Sequence, residues 1–379
     1  MSLKTKVLVV ISNLEFGGAQ RQIVELVNNI DRQYFDVHVC SLSAYIPLAS
    51  QFIDGTPVHV IEKQCKFDLF VVAKLINLLR KYRFDVIHSF LFDAEIASRL
   101  AGNLCFLPIK IIGSERNTNY KLKKIQKMAY RLTKSWVHIL VANSKSGAAY
   151  NLKMTGVAKD KYRVVYNGVD TQRFQPRDKT LARKKLNLPL DRKIIGMFAS
   201  FKAQKNHPFI IDVLATLKAS GMHFKLLLVG EMLHAGMHGS DHYAALLKVK
   251  IKQAGLEDQV IFLGNQAHVE QIYPACDFTV LPSLFEGMPN VLLESMACAV
   301  PVIASRVSDN QYIINDNVSG VTLELNNMCD WENAIKQFLE DDALRETLSI
   351  GARETMLSSF SSRRLAQNMQ KIYNPQYEV

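Results

Sequence analysis

The chain has 379 residues, 48% hydrophobic and 21% charged, with a net charge of +11. That size and balance suit a soluble protein of two domains, each with its own core, and exclude a disordered or low-complexity chain. No apolar run approaches the ~20 residues that span a bilayer, and the run at 7–11 is too short for a secretion signal, so the expected location is the cytoplasm.

In chain order, strand-like runs at 6–11, 35–42, 58–61, 86–89, 109–113 and 138–142 alternate with helix-period runs at 20–30, 69–82, 94–103 and 122–134. After a polar, proline-punctuated stretch at 172–192, strands are expected at 194–198, 225–229, 260–263, 278–281 and 300–304. Helices are expected at 208–220, 244–254, 291–298 and 331–338. Such alternation predicts mostly parallel sheets covered by helices on both faces. The expected fold is therefore α/β, two doubly wound Rossmann-like domains facing across a cleft, divided near Asn167-Gly168-Val169-Asp170 into 1–168 and 169–359.

Charge and cysteine are also informative. Residues 1–167 carry 24 Lys and Arg against 12 Asp and Glu, whereas residues 168–379 carry 22 against 23. The first half should therefore meet something anionic: membrane lipid, a phosphorylated acceptor or nucleic acid. No nucleic-acid motif is present, and the basic residues lack interleaved aromatic platforms. Cysteines at 40, 65, 105, 276, 298 and 329 form no Cys-x-x-Cys pair and read as free, mostly buried thiols.

The candidate site residues sit where strands end. Gly17 and Gly18 follow the first strand and let the backbone turn tightly beside a ligand, although a bare Gly-Gly also serves as a simple turn. His88 closes the fourth strand, either as a cleft-facing group or as a hydrogen-bonded core histidine, with Asp93 the next polar group. Ser114, Glu115 and Arg116 leave the fifth strand and can line an acceptor side. In 121–134, Leu122, Ile125, Ala129, Leu132 and Trp136 form a stripe expected to pack on the core. Lys123, Lys124, Lys127, Arg131 and Lys134 lie opposite, free to meet anionic lipid on the cytoplasmic face of a membrane.

In the second half, Lys202 and Lys205 follow the strand at 194–198, and Gly230-Glu231 and Gly264-Asn265 end the next two strands. Then comes Pro282-Ser283-Leu284-Phe285-Glu286-Gly287-Met288-Pro289-Asn290-Val291-Leu292-Leu293-Glu294, a strand-to-helix transition flanked by two glutamates. A helix start presents unpaired N–H groups to a phosphate, Pro289 and Asn290 suit its first turn, and carboxylates accept hydrogen bonds from polyols. Diphosphate, ribose and sugar can thus share one site, as in a nucleotide sugar. His234, His238 and His242 have a metal-compatible spacing, but Gly236 and Gly239 interrupt the segment and no Asp-x-Asp occurs. No metal and no cofactor are expected.

The Glu-x7-Glu block in this context resembles the signature of retaining glycosyltransferases of family 4, which have the GT-B fold. The resemblance implies that Glu286 contacts the donor sugar, Glu294 binds the ribose, and the amides of Gly287, Met288, Pro289, Asn290 and Val291 surround the donor. It implies that the Gly17-Gly18-Ala19 loop approaches diphosphate and acceptor, and that the loops at Gly230-Glu231 and Gly264-Asn265 lie by the nucleotide. Lys205 matches the Lys of the family's Arg-x4-Lys element. Ser200 stands where Arg is usual, leaving Lys202 as its substitute. Phe90 stands where a second His is common, leaving His88. It implies as well that the last helix, within 360–379, packs back on the first domain. The implied activity is retaining transfer from a UDP- or GDP-sugar to a hydroxyl, with a lipid-linked saccharide as the expected acceptor. A nucleotide-sugar epimerase and a non-catalytic nucleotide-sugar or membrane-binding protein are the rival readings.

Overall fold

The computed structural model describes residues 4–65, 68–116, 122–230 and 240–377. The chain forms two compact units, Met1–Gly168 with Ser362–Val379, and Val169–Ser361.

The first unit contains β1 (Thr5–Ile11), α1 (Gly18–Asn29), β2 (Phe35–Ser41), β3 (Val58–Val60), α2 (Leu69–Tyr82), β4 (Val86–Phe90), α3 (Phe92–Leu104), β5 (Lys110–Glu115), α4 (Lys124–Leu132), β6 (Ile139–Ala142), α5 (Lys145–Thr155) and β7 (Tyr162–Val164). The second contains α6 (Lys179–Lys185), β8 (Lys193–Phe198), α7 (His207–Ala219), β9 (Phe224–Val229), α8 (Ser240–Gln253), β10 (Val260–Gly264), β11 (Phe278–Leu281), α9 (Asn290–Ala297), β12 (Val302–Ser305), α10 (Asn310–Ile313), β13 (Gly320–Leu323), α11 (Met328–Glu340) and α12 (Asp342–Ser359). The final helix, α13 (Ser362–Tyr373), belongs to the first unit.

Both sheets are parallel, ordered β3-β2-β1-β4-β5-β6-β7 and β10-β9-β8-β11-β12-β13. Apart from the partly open edge strands β3, β7, β10 and β13, their strands are Val/Ile/Leu-rich runs buried on both faces, as expected when helices cover each side. The strand order reverses between β1 and β4 in one sheet and between β8 and β11 in the other. Doubly wound sheets bind ligands at such switch points, outside the carboxyl ends of the strands.

Helix α13 packs on α1 through Leu365, Ala366, Met369 and Tyr373. Ser362 donates to Glu25 at 2.5 Å, and Gln370 accepts from the Asp31 amide at 2.8 Å. At the end of this unit's first segment, Gln22 exchanges two 2.8 Å hydrogen bonds with Gly168.

Six of the described elements, α5, α6, α10, α12, β7 and β13, are not marked by the sequence period. Strands β7 and β13 have three and four residues, and β7 leaves Val164 exposed, so neither has a long apolar run. Helix α5 has almost no apolar stripe. Helix α12 carries Gly351 in its middle, where a Cβ would meet the Val318 carbonyl oxygen at 2.0 Å. The glycine is there for close approach of backbone to backbone, at a cost in helix propensity.

Helix α4 corrects an expectation. Of its expected stripe, Leu122, Ala129 and Trp136 are half-buried but Ile125 and Leu132 are 46% and 71% exposed; Met128, outside that stripe, is 54% exposed, and Tyr130 is the buried residue. Tyr130 faces inward because its hydroxyl donates to Glu95 at 2.9 Å. A hydrophobic period locates a stripe but does not say which neighbour covers it. Among the cysteines, Cys40, Cys105, Cys276 and Cys298 are buried, while Cys65 and Cys329 are exposed; all six are free.

Candidate active site

At the switch point of the second sheet, the loop after β8 meets the loop after β11. Lys205 Nζ lies 2.5 Å from Glu286 Oε1, with side chains 13% and 7% exposed. Gln204 donates to the Phe285 carbonyl at 2.7 Å and reaches Glu286 Oε2 at 3.5 Å, while the Leu284 amide donates to the Gln204 carbonyl at 2.9 Å. Lys202 lies on the exposed side of the same loop, where partial desolvation and then the charge of Lys205 lower its pKa. Next in the chain, His207 opens α7, stacks on Phe201 at 4.9 Å and pairs with the Tyr243 hydroxyl at 3.2 Å. Burial, then the Lys205 charge, push it down to about 3, so it is a neutral neighbour of the cation pair.

Gly287, Met288 and Pro289 are buried and lead into α9. Pro289 is its N-cap and Asn290 its first residue, with no side-chain cap bond, so the two roles are shifted by one residue from the sequence expectation. Val291 follows in the first turn. Glu294, one turn in, is 8% exposed and accepts from Tyr273 Oη at 2.9 Å; Tyr273 stacks on Phe198 at the end of β8 at 3.8 Å. The two glutamates therefore sit on opposite sides of one helix start, each fixed by a partner. Gly230 ends β9 where a Cβ would meet the Ala199 carbonyl oxygen at 2.0 Å, and Gly264 has φ +67°, so both turns demand glycine whatever else they do. Asn265 is exposed beside Gly264. Glu231, His234 and His238 lie outside the described residues.

Ser308, in the loop after β12, was not singled out by its sequence context. Its Oγ donates to the Glu286 carbonyl at 2.5 Å and accepts from the Glu286 amide at 3.2 Å. It does so from a left-handed backbone, φ +52°, and Ser305 Oγ holds the Ser283 carbonyl at 2.6 Å. Strained non-glycine residues of this kind persist where surrounding structure fixes them. Ser308→Ala and Ser308→Gly should each lower kcat by roughly tenfold, the value of one or two hydrogen bonds. Ser308→Gly should have the higher Tm because it relieves the backbone. Equal activity of both variants and the parent would show that Glu286 is held without the hydroxyl.

In the first unit, Gly17 is the N-cap of α1 and Gly18 its first residue, at the β1 side of the other switch point. Of the two placings expected for His88, the structure shows the hydrogen-bonded core histidine and not the cleft-facing catalytic group. It is fully buried, its Nδ1 2.7 Å from Tyr373 Oη and its Nε2 2.7 Å from Ser114 Oγ. Burial, then the Arg116 charge, push it down to about 3. It joins β4, β5 and α13 as a neutral bridge, because α13 covers the strand end that the sequence left open. Ser114 is accordingly committed to that bridge. Asp93, at the start of α3, is ion-paired with Lys63. Arg116 donates to Asn167 Oδ1 at 2.5 Å and lies over Phe90.

Glu115 also turns inward. It is 3% exposed, one oxygen accepts from Tyr162 Oη at 3.3 Å, and Glu95 and Arg99, themselves 2.5 Å apart, lie in the same buried network with Tyr130. Burial and then Glu95 push Glu115 up to about 8. Its folded-state pKa is above the unfolded one, so its contribution to stability is complete below the ordinary carboxylate range and is lost as pH rises toward 8. Urea denaturation at pH 5, 6, 7 and 8 should show stability falling by up to about 1.4 kcal/mol per pH unit in this window, with Glu115→Gln flattening the slope. An unchanged slope in the variant would assign the effect to other groups.

The family described as Glycosyltransferase Family 4 matches residues 16–173, and that described as Glycosyl transferases group 1 matches residues 178–355. The chain is 26% identical, over 97% of its length and 98% of the relative's, to the N-acetylgalactosamine-N,N'-diacetylbacillosaminyl-diphospho-undecaprenol 4-alpha-N-acetylgalactosaminyltransferase of Campylobacter jejuni. It is 22% identical, over 94% and 93%, to the UDP-Gal:alpha-D-GlcNAc-diphosphoundecaprenol alpha-1,3-galactosyltransferase of Escherichia coli. It shares its fold with Anabaena HepE, crystallised with UDP, at a TM-score of 0.84 and 21% identity, covering 98% of this chain and all of that one. With two matched regions in tandem from residue 16 to residue 355 and the two-domain fold of its structural neighbours, the chain belongs to the family 4 glycosyltransferases of GT-B fold.

Proposed function

We propose that this glycosyltransferase moves a sugar from a UDP- or GDP-sugar to a hydroxyl of a lipid-linked saccharide in glycan or polysaccharide assembly, with retention of configuration and without metal or other cofactor. The observation that carries the reading is the Lys205–Glu286 pair, held at a sheet switch point ahead of the α9 N-terminus. Lys205, with Lys202, offsets the charge of the leaving diphosphate, and the α9 start adds its partial positive charge. Glu286 orients the sugar once diphosphate draws Lys205 away, and Glu294 accepts from the ribose. No protein nucleophile is assigned. The leaving phosphate takes the proton of the acceptor hydroxyl as the new bond forms on the face the old one leaves. The relatives named above act, by their names, on diphospho-undecaprenol saccharides, which supports the acceptor class.

The test is direct. UDP and GDP are compared by thermal shift, where the right nucleotide at 100 times its Kd adds about 2.7 kcal/mol. The matching donor sugars are then assayed with lipid-linked acceptors, and the product anomer is read by NMR with and without EDTA. Inversion, or loss of rate in EDTA, overturns those parts of the reading. Solvent deuterium entering the donor without acceptor would indicate an epimerase.

Peripheral membrane binding belongs to the same reading. No helix of the described residues is long and apolar enough to cross a membrane. Helix α4 instead presents Ile125, Met128 and Leu132 to solvent beside Lys124 and Arg131, with Lys123 and Lys134 exposed at its ends and Lys127 half-buried. An exposed apolar stripe flanked by cations suits the interface of an anionic bilayer.

A further inference from the structure

Beside α4, between α2 and α3, runs a narrow apolar groove with a cavity volume of about 110 Å³. Leu42, Val72, Ile96, Ala97, Leu100 and Ala129 line it. Its polar groups stand at the rim: Lys63 and Asp93 form an ion pair, and Asp68 caps α2 by accepting from the Phe70 amide at 2.9 Å. Leu69 and Phe70, in the first turn of α2, are 75% and 79% exposed, and Leu69 is part of the lining.

Three observations define what fits. A saccharide would find almost no donor or acceptor in the lining, whereas hydrocarbon would bury apolar surface on every side. One end lies at the sheet's carboxyl edge, because Leu42 follows β2 and Phe92 and Asp93 follow β4. The other wall is α4, whose Ala129 lines the groove while Ile125, Met128 and Leu132 face solvent. A ligand matching this surface is hydrocarbon for much of its length, can offer an anion to Lys63 in place of Asp93, and is delivered from the surface that α4 touches.

We propose that the groove holds the hydrocarbon chain of the lipid-linked acceptor, with its phosphate linkage at Lys63 and the saccharide beyond it. This rests on the acceptor class proposed above. It makes the groove a specificity element for chain-bearing acceptors. Lys63 is the one cation among the lining residues and is already paired with Asp93, with Asp68 beside it, so the phosphate reaches Lys63 by displacing Asp93.

Photolabelling of the full chain with a diazirine-bearing farnesyl phosphate tests this without any transfer assay. The label should map to peptides containing Val72, Ala97 and Ala129. Ala129→Phe and Ala97→Phe, two independent ways to fill the groove, should each cut labelling about tenfold, equivalent to denying burial to about two methylenes. Nucleotide-induced thermal shifts should be unchanged in both. Lys63→Ala should weaken labelling by farnesyl phosphate but not by the corresponding uncharged alcohol. Label landing elsewhere, or equal labelling by a diazirine-bearing phosphatidylglycerol, overturns the proposal, the second in favour of bulk lipid. In transfer assays, the filled variants should raise KM for a lipid-linked acceptor and leave it unchanged for the same saccharide carried on a methyl phosphate. Equal effects on both acceptors refute the groove and leave the transferase reading intact. Turnover confined to acceptors without lipid refutes the acceptor class itself.

Discussion

Glu286→Ala is expected to lower kcat for sugar transfer by about 10²–10³-fold, the usual loss when one well-placed polar group is withdrawn from a reaction centre. It should also lower stability. Lys205 would be left enclosed without its 2.5 Å partner, and breaking a buried pair from one side costs about 3–5 kcal/mol. Lys205→Ala should do the same from the other side and, on the proposed role of Lys205 in offsetting the diphosphate charge, weaken nucleotide binding as well. The two effects can be separated. A Lys205→Met/Glu286→Leu double variant removes both charges and fills the space, so urea denaturation should show most of the stability regained while transfer stays abolished. A double variant that regains activity would show that the pair is only structural.

Removing the cations of α4 should loosen the protein from anionic vesicles and leave catalysis on a soluble acceptor unchanged. Lys124, Lys127 and Arg131 together supply about 3 kcal/mol at roughly 1 kcal/mol each, so their replacement by glutamine should weaken vesicle binding by roughly 10²-fold at low salt. The difference should shrink as ionic strength rises, because the contribution is screened within a Debye length. Replacing Met128 and Leu132 with serine acts on the exposed apolar stripe instead, so its effect should persist in salt. Co-sedimentation with phosphatidylglycerol vesicles from 50 to 500 mM salt, a range set by the screening length, distinguishes the two sets of variants. Unchanged binding in both would remove the membrane from the proposed function.

The site in the second unit was largely legible in the sequence because local signals there agree. A short apolar strand, a Gly-Met-Pro-Asn turn and a helix start occupy consecutive positions, so Glu286, the α9 N-terminus and Glu294 are brought together by a single strand–turn–helix unit. Lys205 is 81 residues from Glu286, but both follow strands adjacent in the sheet, and a doubly wound order brings such loops to one switch point. Ser308 escaped notice because its role depends on a left-handed residue meeting a backbone amide and carbonyl 22 residues away, which no side-chain pattern announces.

The first unit was harder to read. His88 ends a strand where a ligand-facing histidine is plausible, yet α13, whose Tyr373 lies 285 residues away, takes its Nδ1. Glu115 follows the same logic: four polar residues leaving a strand suggest a binding edge, but Glu95, Arg99, Tyr130 and Tyr162 arrive from α3, α4 and β7 to enclose it. Burial of a strand end is a property of the elements that cross it.

The alternation of strand and helix periods, the glycine turns and the glutamate-flanked helix start determined by themselves a two-domain α/β chain with one candidate anion-binding helix start, because each depends on contacts within a few residues; only the resemblance of that glutamate block to family 4 implied a glycosyltransferase. Tertiary structure alone decided the rest. It made His88 a core bridge, enclosed Glu115 in a buried network, clamped Glu286 from Ser308 and left Ile125 and Leu132 of the α4 stripe exposed beside a groove. Those outcomes depend on which distant segment covers a given face, and hydrophobic period specifies the face without specifying its cover.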